Sequence, residues 1–382
     1  MQRIYKRIII IILLIFITSS VVEGNSGMQY KGDLWNLLNY FRIRSAVVKY
    51  KEIERMGGWP TIPYDLILKK GDVSEEVQLL KKRLNITGDL YYNNEDNLFD
   101  ENLETALKNY QKRNGLVIDG ILGPATIDEL NLPVSIRIKQ LELNMNKIYN
   151  LFDQYLNRYI LVNIPAYQLK FIDNGEEVLQ MKAIVGSKSN QTPVFNDQVE
   201  YLVFNPTWRI PLKKAVKDII PLIKENPYYL KDKNIRVFES WEDDAREIEP
   251  ENIDWEEYNS ENFDLMLEQE SGPDNELGQV KFMFPNDYLV YIHDTPHTEL
   301  FDYKNRAFSS GCIRVEKPLE LANYCLKDLE GWNFERILEV INAGAQTQVD
   351  LIEYIPVVLV YWTAWVDFEN NVNFRQDIYD LL

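Results

Sequence analysis

The chain has 382 residues, 46% hydrophobic and 26% charged, enough to bury a sizeable core and too balanced for wholesale disorder. A formal net charge of -18, from 41 basic and 59 acidic side chains, argues against a nucleic-acid partner, whose phosphates demand a basic face. Two cysteines and two histidines exclude a dense disulfide framework and most zinc sites, so no cofactor is expected.

Arg3, Lys6 and Arg7 precede an unbroken apolar run over residues 8–17. A basic start and so short an apolar stretch predict a secretory signal over residues 1–24, with an uncleaved N-terminal anchor as the second reading. Either way the remainder is exported, to the periplasm or cell envelope. Residues 25–67 read as a short scaffold lead-in, ending in Gly57-Gly58-Trp59-Pro60.

Residues 68–133 read as three short helices. Asp72 or Ser74 is placed to cap the first, on which Val77, Leu80 and Leu84 share a face. Asp100 is placed to cap the second, with Leu103, Ala106, Leu107 and Tyr110 at helical spacing, and Gly123-Pro124 opens the third. Over residues 134–157, Ile138, Leu141, Met145, Ile148 and Phe152 mark an amphipathic connecting helix.

From residue 158 the period changes to that of strands. Ile160, Val162 and Ile164 alternate, and Asn174-Gly175 between two apolar runs signals a hairpin. An insertion over about 212–276 interrupts the strands. Within it, residues 239–270 carry fourteen acids against one base, Arg246, so most of the negative surplus sits there. Charge runs are usually solvated loops; the other reading is a lid that meets a cationic substrate amine, with Trp241 and Trp255 as anchors.

Two residues carry the chemistry. Cys312 lies in Ser309-Ser310-Gly311-Cys312-Ile313-Arg314. A cysteine is more often a small buried hydrophobe than a nucleophile, but the glycine-flanked polar setting and the Arg314 charge favour a reactive thiol. The N–H groups of Gly311 and Cys312 are candidate oxyanion donors. His293 ends an apolar run, as at a strand end, and is the candidate base; Asp294 would orient it by side chain or carbonyl. His297 reads as a solvated loop residue, and Cys325, on an apolar helical stripe, as core.

His293-Asp294-Thr295-Pro296 followed by Arg306-Ala307-Phe308-Ser309-Ser310-Gly311-Cys312-Ile313-Arg314 resembles the signature of the L,D-transpeptidase catalytic domain. Asn205-Pro206-Thr207-Trp208 and Tyr361-Trp362-Thr363-Ala364-Trp365 extend the likeness toward the large periplasmic type. Residues 68–133, with Asp119-Gly120, Gly123 and Thr126, resemble a peptidoglycan-binding domain. The resemblance implies an α+β multidomain protein: a three-helix binding unit and a β-rich, sandwich-like catalytic domain over 158–382 with an acidic lid insertion.

It further implies acyl transfer through a Cys312 thioester with His293 as base. Peptidoglycan stem peptides are the partner, and the thioester is resolved by an amine to cross-link two third residues. Ser309, Ser310, Gly311 and Asp294 would support the site, and Arg314, Arg306 and Trp208 would contact substrate. The family usually has histidine where this chain has Ser310. A carboxypeptidase, or an enzyme joining a protein lysine to the wall, would use the same thioester. A non-catalytic wall-binding protein is the reading from another class. The chain is expected to act as a monomer.

Overall fold

The computed structural model describes residues 27–91, 96–150 and 157–382. The expected signal over 1–24 lies outside the described residues, and among these no helix is long and apolar enough to cross a membrane.

The lead-in is more ordered than its sequence suggested. It contains a 29-residue helix, α1 (Gly27–Arg55). Ile43, Ala46, Val47, Tyr50 and Ile53 recur at helical spacing along it and are buried. They pack with Ile138, Leu141 and Ile148, which share the same apolar cluster.

The next three helices are α2 (Glu75–Thr87), α3 (Glu101–Arg113) and α4 (Pro124–Leu130). They enclose a core that includes Val77, Leu80, Leu84, Leu103, Leu107, Tyr110, Ile127 and Leu130. Asp100 caps α3 by accepting the Leu103 N–H at 2.8 Å. Neither proposed cap of α2 makes a capping bond: Ser74 stands at the N-cap without one, and Asp72 accepts from Lys69 N instead. Buried Gln111 ties down the Asp119-Gly120 turn, donating to Asp119 Oδ1 at 2.8 Å and accepting from Gly120 N at 2.9 Å. Then follows α5 (Val134–Asn150), which carries Ile138, Leu141 and Ile148.

The remainder is built on one large sheet. Its strands are β1 (Tyr159–Asn163), β2 (Gln168–Asp173), β3 (Glu176–Gly186), β4 (Asn196–Phe204), β9 (Val280–Met283), β10 (Ile292–His293), β11 (Ala307–Ser309), β12 (Ile313–Val315) and β13 (Thr347–Val360). They lie in the order β11-β3-β12-β10-β9-β4-β13-β1-β2, and β2 pairs again with β3, so the sheet closes on itself. The β-rich expectation holds, and the sheet closes on itself into a barrel- or sandwich-like body. The β2–β3 hairpin is the element that joins both ends.

Inside lie Val162, Leu169, Phe171, Phe204, Phe282, Ile292, Ile313, Val315 and Leu359, together with apolar residues of α6 (Pro318–Leu326) and α7 (Phe334–Ala343). Cys325 belongs to this core, and burial pushes its thiol up to about 12. Buried Asn205 donates to the carbonyls of Val340, Ile341 and Ala345, which fixes the end of α7.

The acidic insertion is folded, not a solvated loop. A small sheet of β5 (Trp208–Arg209), β6 (Ile235–Phe238), β7 (Glu247–Ile248) and β8 (Met266–Gln269) runs in the order β5-β8-β6-β7. With the helical stretch 212–225 it encloses its own cluster, including Ile210, Ile219, Ile220, Ile223, Leu230, Val237, Phe263 and Leu267. The C-terminal hairpin of β14 (Ala364–Val366) and β15 (Val372–Phe374) docks on the helices, where Gln140 donates to the carbonyls of Thr363 and Arg375.

Candidate active site

Strands β10 and β12 run parallel, with Ile292 opposite Ile313 and His293 opposite Arg314. Side chains alternate along a strand, so Ile292 and Ile313 point into the core while Tyr291, His293, Cys312 and Arg314 share the other face. The bond from Ile313 N to Tyr291 O, 3.0 Å, extends the pairing to the cysteine. Tyr291, beside the Cys312 sulfur, is a residue of this face that the sequence reading did not single out. Its position two before His293 was the available signal.

His293 is 4% exposed. Its Nδ1 lies 2.6 Å from the Asp294 carbonyl oxygen. A carbonyl only accepts, so Nδ1 carries the proton and Nε2 is left with the free lone pair. Burial, then the charge of Arg314, pushes the imidazole down to about 3, so it is neutral at physiological pH. Asp294 orients the ring through its backbone, because its carboxylate accepts from Gln279 N at 2.8 Å. Gly278, at φ +61°, fits under that carboxylate: a Cβ there would meet Asp294 Oδ2 at 2.3 Å.

Cys312 is half-buried. Burial raises its thiol, opposed by a hydrogen bond from the Tyr291 backbone, the Arg314 charge and the Tyr291 phenol. The Tyr291 hydroxyl is itself pushed up, by burial and by the neighbouring sulfur. The sulfur's hydrogen bond is to the Leu289 carbonyl, at 3.8 Å. A raised thiol and a depressed imidazole on the same face of the strand pair are both neutral at rest, not a thiolate–imidazolium.

Ser309 is buried and organises the loop, donating to the Cys312 carbonyl at 2.6 Å and accepting the Gly311 N–H at 3.1 Å. The Gly311 N–H, expected as an oxyanion donor, is engaged inside the loop. Gly311 has φ +123°, a conformation that glycine adopts without strain. Ser310 is exposed.

The three expected substrate contacts separate. Arg314 lies on the site face, its Nη2 3.8 Å from Glu276, and its buried Nε finds no acceptor among the described residues. Arg306 has its guanidinium on the carbonyls of Ala183, Tyr303 and Tyr167, which makes it a brace for its loop. Trp208 is 8% exposed and belongs to the insertion's core. His297 is not simply solvated: Glu276 Oε1 lies 3.1 Å from its Nε2. Glu276 therefore ties the end of the insertion to both Arg314 and His297. No group of three or more His, Cys, Asp or Glu among the described residues could hold a metal ion.

Residues 157–349, just over half of the chain, match the L,D-transpeptidase catalytic domain family. Residues 73–130 match a family described as "Putative peptidoglycan binding domain". Over 220 residues the chain is 37% identical to a Haemophilus influenzae protein described as "Putative L,D-transpeptidase", covering 58% of this chain and 44% of that one. The chain thus spans less than half the length of that relative. Among solved structures, the L,D-transpeptidase of Mycobacterium smegmatis aligns at TM-score 0.25 and 10% identity, over 53% of this chain and 58% of that one. That of Stackebrandtia nassauensis aligns at TM-score 0.29 and 11% identity, over 79% and 96%.

Proposed function

The chain belongs to the L,D-transpeptidase catalytic-domain family, and from that premise we propose that it is a peptidoglycan L,D-transpeptidase working through a Cys312 thioester. The observation that carries this reading is the placement of Tyr291, His293, Cys312 and Arg314 on one face of the β10–β12 pair.

In the first step Cys312 Sγ attacks the carbonyl after the third stem-peptide residue. A carbon–sulfur bond forms, the peptide C–N bond breaks, and the terminal D-amino acid leaves with the proton taken from the thiol. His293 Nε2 receives that proton and delivers it to the leaving amine, since Nδ1 is held in its protonated form by the Asp294 carbonyl. In the second step the amine of another stem attacks the thioester. A cross-link between two third residues forms, and the sulfur regains its proton.

The free energy needed to ionise the thiol is met during attack. A neutral imidazole on the same face as a neutral thiol takes one proton as the S–C bond forms, so no separated charges are buried beforehand. Tyr291 and Arg314 favour the developing thiolate. Arg314 Nε is a donor waiting for an acceptor, and the donor stem supplies one.

Residues 68–133 act as the peptidoglycan-binding unit, 134–157 as connector and 158–382 as the catalytic domain. The acidic insertion over 212–276 acts as a lid whose exposed carboxylates attract the cationic amine of the stem peptide. The enzyme works as an exported monomer, with residues 1–24 as its export segment or anchor.

Incubation with tetrapeptide muropeptides, followed by chromatography and mass spectrometry, tests the reading. Third-to-third dimers formed by the wild type and absent with Cys312→Ala support it. Tripeptides without dimers would make the acceptor water, and no product at all would refute peptidoglycan as substrate.

A further inference from the structure

The C-terminal tail, beyond the 157–349 match to the catalytic family, reaches back to the nucleophile loop. Tyr379 is 3% exposed, and its ring stacks on Tyr361 with centroids 5.5 Å apart. The Tyr379 hydroxyl donates to the Gly186 carbonyl at 2.6 Å and accepts from Thr192 N at 3.2 Å. Tyr379 N in turn donates to the Tyr361 hydroxyl at 2.8 Å, and that hydroxyl bonds Asp377. Tyr379 thereby clamps both ends of the turn 186–192.

That turn holds the nucleophile loop. Thr192, 2% exposed, accepts Gly186 N on its hydroxyl at 2.8 Å and donates the hydroxyl proton to the Gly311 carbonyl at 2.7 Å. Ser187 N also donates to Ser309 O at 2.9 Å. The turn is closed tightly on itself, leaving no room for a side chain at its start: a Cβ at Gly186 would sit 2.1 Å from Asn190 O.

The Gly311 carbonyl and the Cys312 N–H belong to the same peptide group. A trans peptide is planar, so a hydrogen bond that fixes the direction of C=O fixes the opposite direction of N–H. With the Gly311 N–H engaged by Ser309, the Cys312 N–H is the backbone donor left beside the sulfur. We propose that Tyr379 and Thr192 are positioning residues: through the Gly311 carbonyl they aim the Cys312 N–H at the oxyanion formed when Cys312 is acylated. Neither touches the reacting atoms. The proposal deepens the acyl-transfer reading above and rests on it.

Two reactions of the same thiol separate this role from general support. Acylation by a carbapenem forms the S–C bond, breaks the lactam C–N bond with the proton passing to nitrogen, and goes through an oxyanion. Alkylation by iodoacetamide expels iodide and develops no oxyanion. Tyr379→Phe keeps the stacked ring and should slow acylation ~10-fold, Thr192→Val ~100-fold, with alkylation held within about 2-fold, as expected when one oxyanion donor is misaimed. Thr192→Ser keeps the hydroxyl and should restore acylation. Wild-type acylation rates in both Tyr379→Phe and Thr192→Val would overturn the proposal, as would equal losses in the two reactions. A wild-type protein that acylates with carbapenem but makes no muropeptide product would sink the peptidoglycan reading and leave this one standing.

Discussion

The β10–β12 strand pair and the acidic insertion reach the same site in opposite ways. The strand pair is part of a closed sheet, with Ile292, Ile313 and Val315 locked in the main core, so the alternating residues on its other face have no freedom of register. The insertion has its own small sheet and its own apolar cluster, and it meets the site at Glu276. Chemistry that needs fixed geometry is carried by the first region. The second is joined through Glu276, by a partly buried ion pair with Arg314 and a polar contact with the His297 ring, which salt and motion can modulate.

The largest expected effect breaks the first region directly. Cys312→Ala should abolish thioester formation, and His293→Gln should lower its rate by ~10³-fold or more, while His297→Gln should remain near wild type, as expected when only one imidazole serves the nucleophile. Rapid-quench mass spectrometry of the acyl-enzyme measures all three. Comparable losses at His297 would move the base out of the strand pair and undo the comparison.

Next in size is Gly186→Ala. Its Cβ would sit 2.1 Å from Asn190 O and 2.6 Å from Thr192 N, and backbone cannot step aside cheaply. Displacing the turn should cost about 2 kcal/mol of stability by denaturant titration, in line with overpacked sites. A wild-type unfolding midpoint would mean that the turn is looser than its packing indicates.

The pH dependence sharpens the electrostatic half. Because the thiol is raised and the imidazole is pushed down to about 3, alkylation of Cys312 should climb through and beyond the ordinary thiol range, ~8.5, with no step near ~6.5. A plateau reached by neutral pH would reveal a thiolate–imidazolium pair. Stability carries the matching sign. The His293 contribution is full above the unfolded-state value of about 6.5 and is lost as pH falls toward 3, since the unfolded chain binds the proton first. His293→Gln should flatten that part of the stability–pH curve.

The smallest effect belongs to the insertion. Glu276→Gln weakens its links to Arg314 and His297 and should change KM by less than ~5-fold with kcat nearly unchanged, as expected of partly exposed polar contacts. A large fall in kcat would show that the insertion takes part in the chemistry.

What was legible in the sequence followed from short-range rules. His293 at a strand end, the glycine before Cys312, the Asp100 cap and the apolar stripe with Cys325 each follow from local pattern. The Asn174-Gly175 hairpin was legible, but closure of the sheet was not, because the pairing of β3 with β12 and of β1 with β13 depends on which distant strands meet. Helix α1 was missed because only one narrow face is apolar and charged residues interrupt it; its burial depends on α5, about ninety residues on. That Ser309 accepts the Gly311 N–H was not legible, because it depends on how the loop folds back on itself. Arg306 and Trp208 were drawn to the site by motif position, while their contacts lie in the surrounding scaffold.

Cys312, held opposite Tyr291 and served by neutral His293, is expected to become the acyl carrier. Intact-protein mass spectrometry after brief exposure to a tetrapeptide muropeptide, with peptide mapping, tests it most directly. The predicted result is a mass gain equal to the donor minus its terminal D-amino acid, located on Cys312, absent in Cys312→Ala and strongly reduced in His293→Gln. No adduct in the wild type, or one located on another residue, would contradict it.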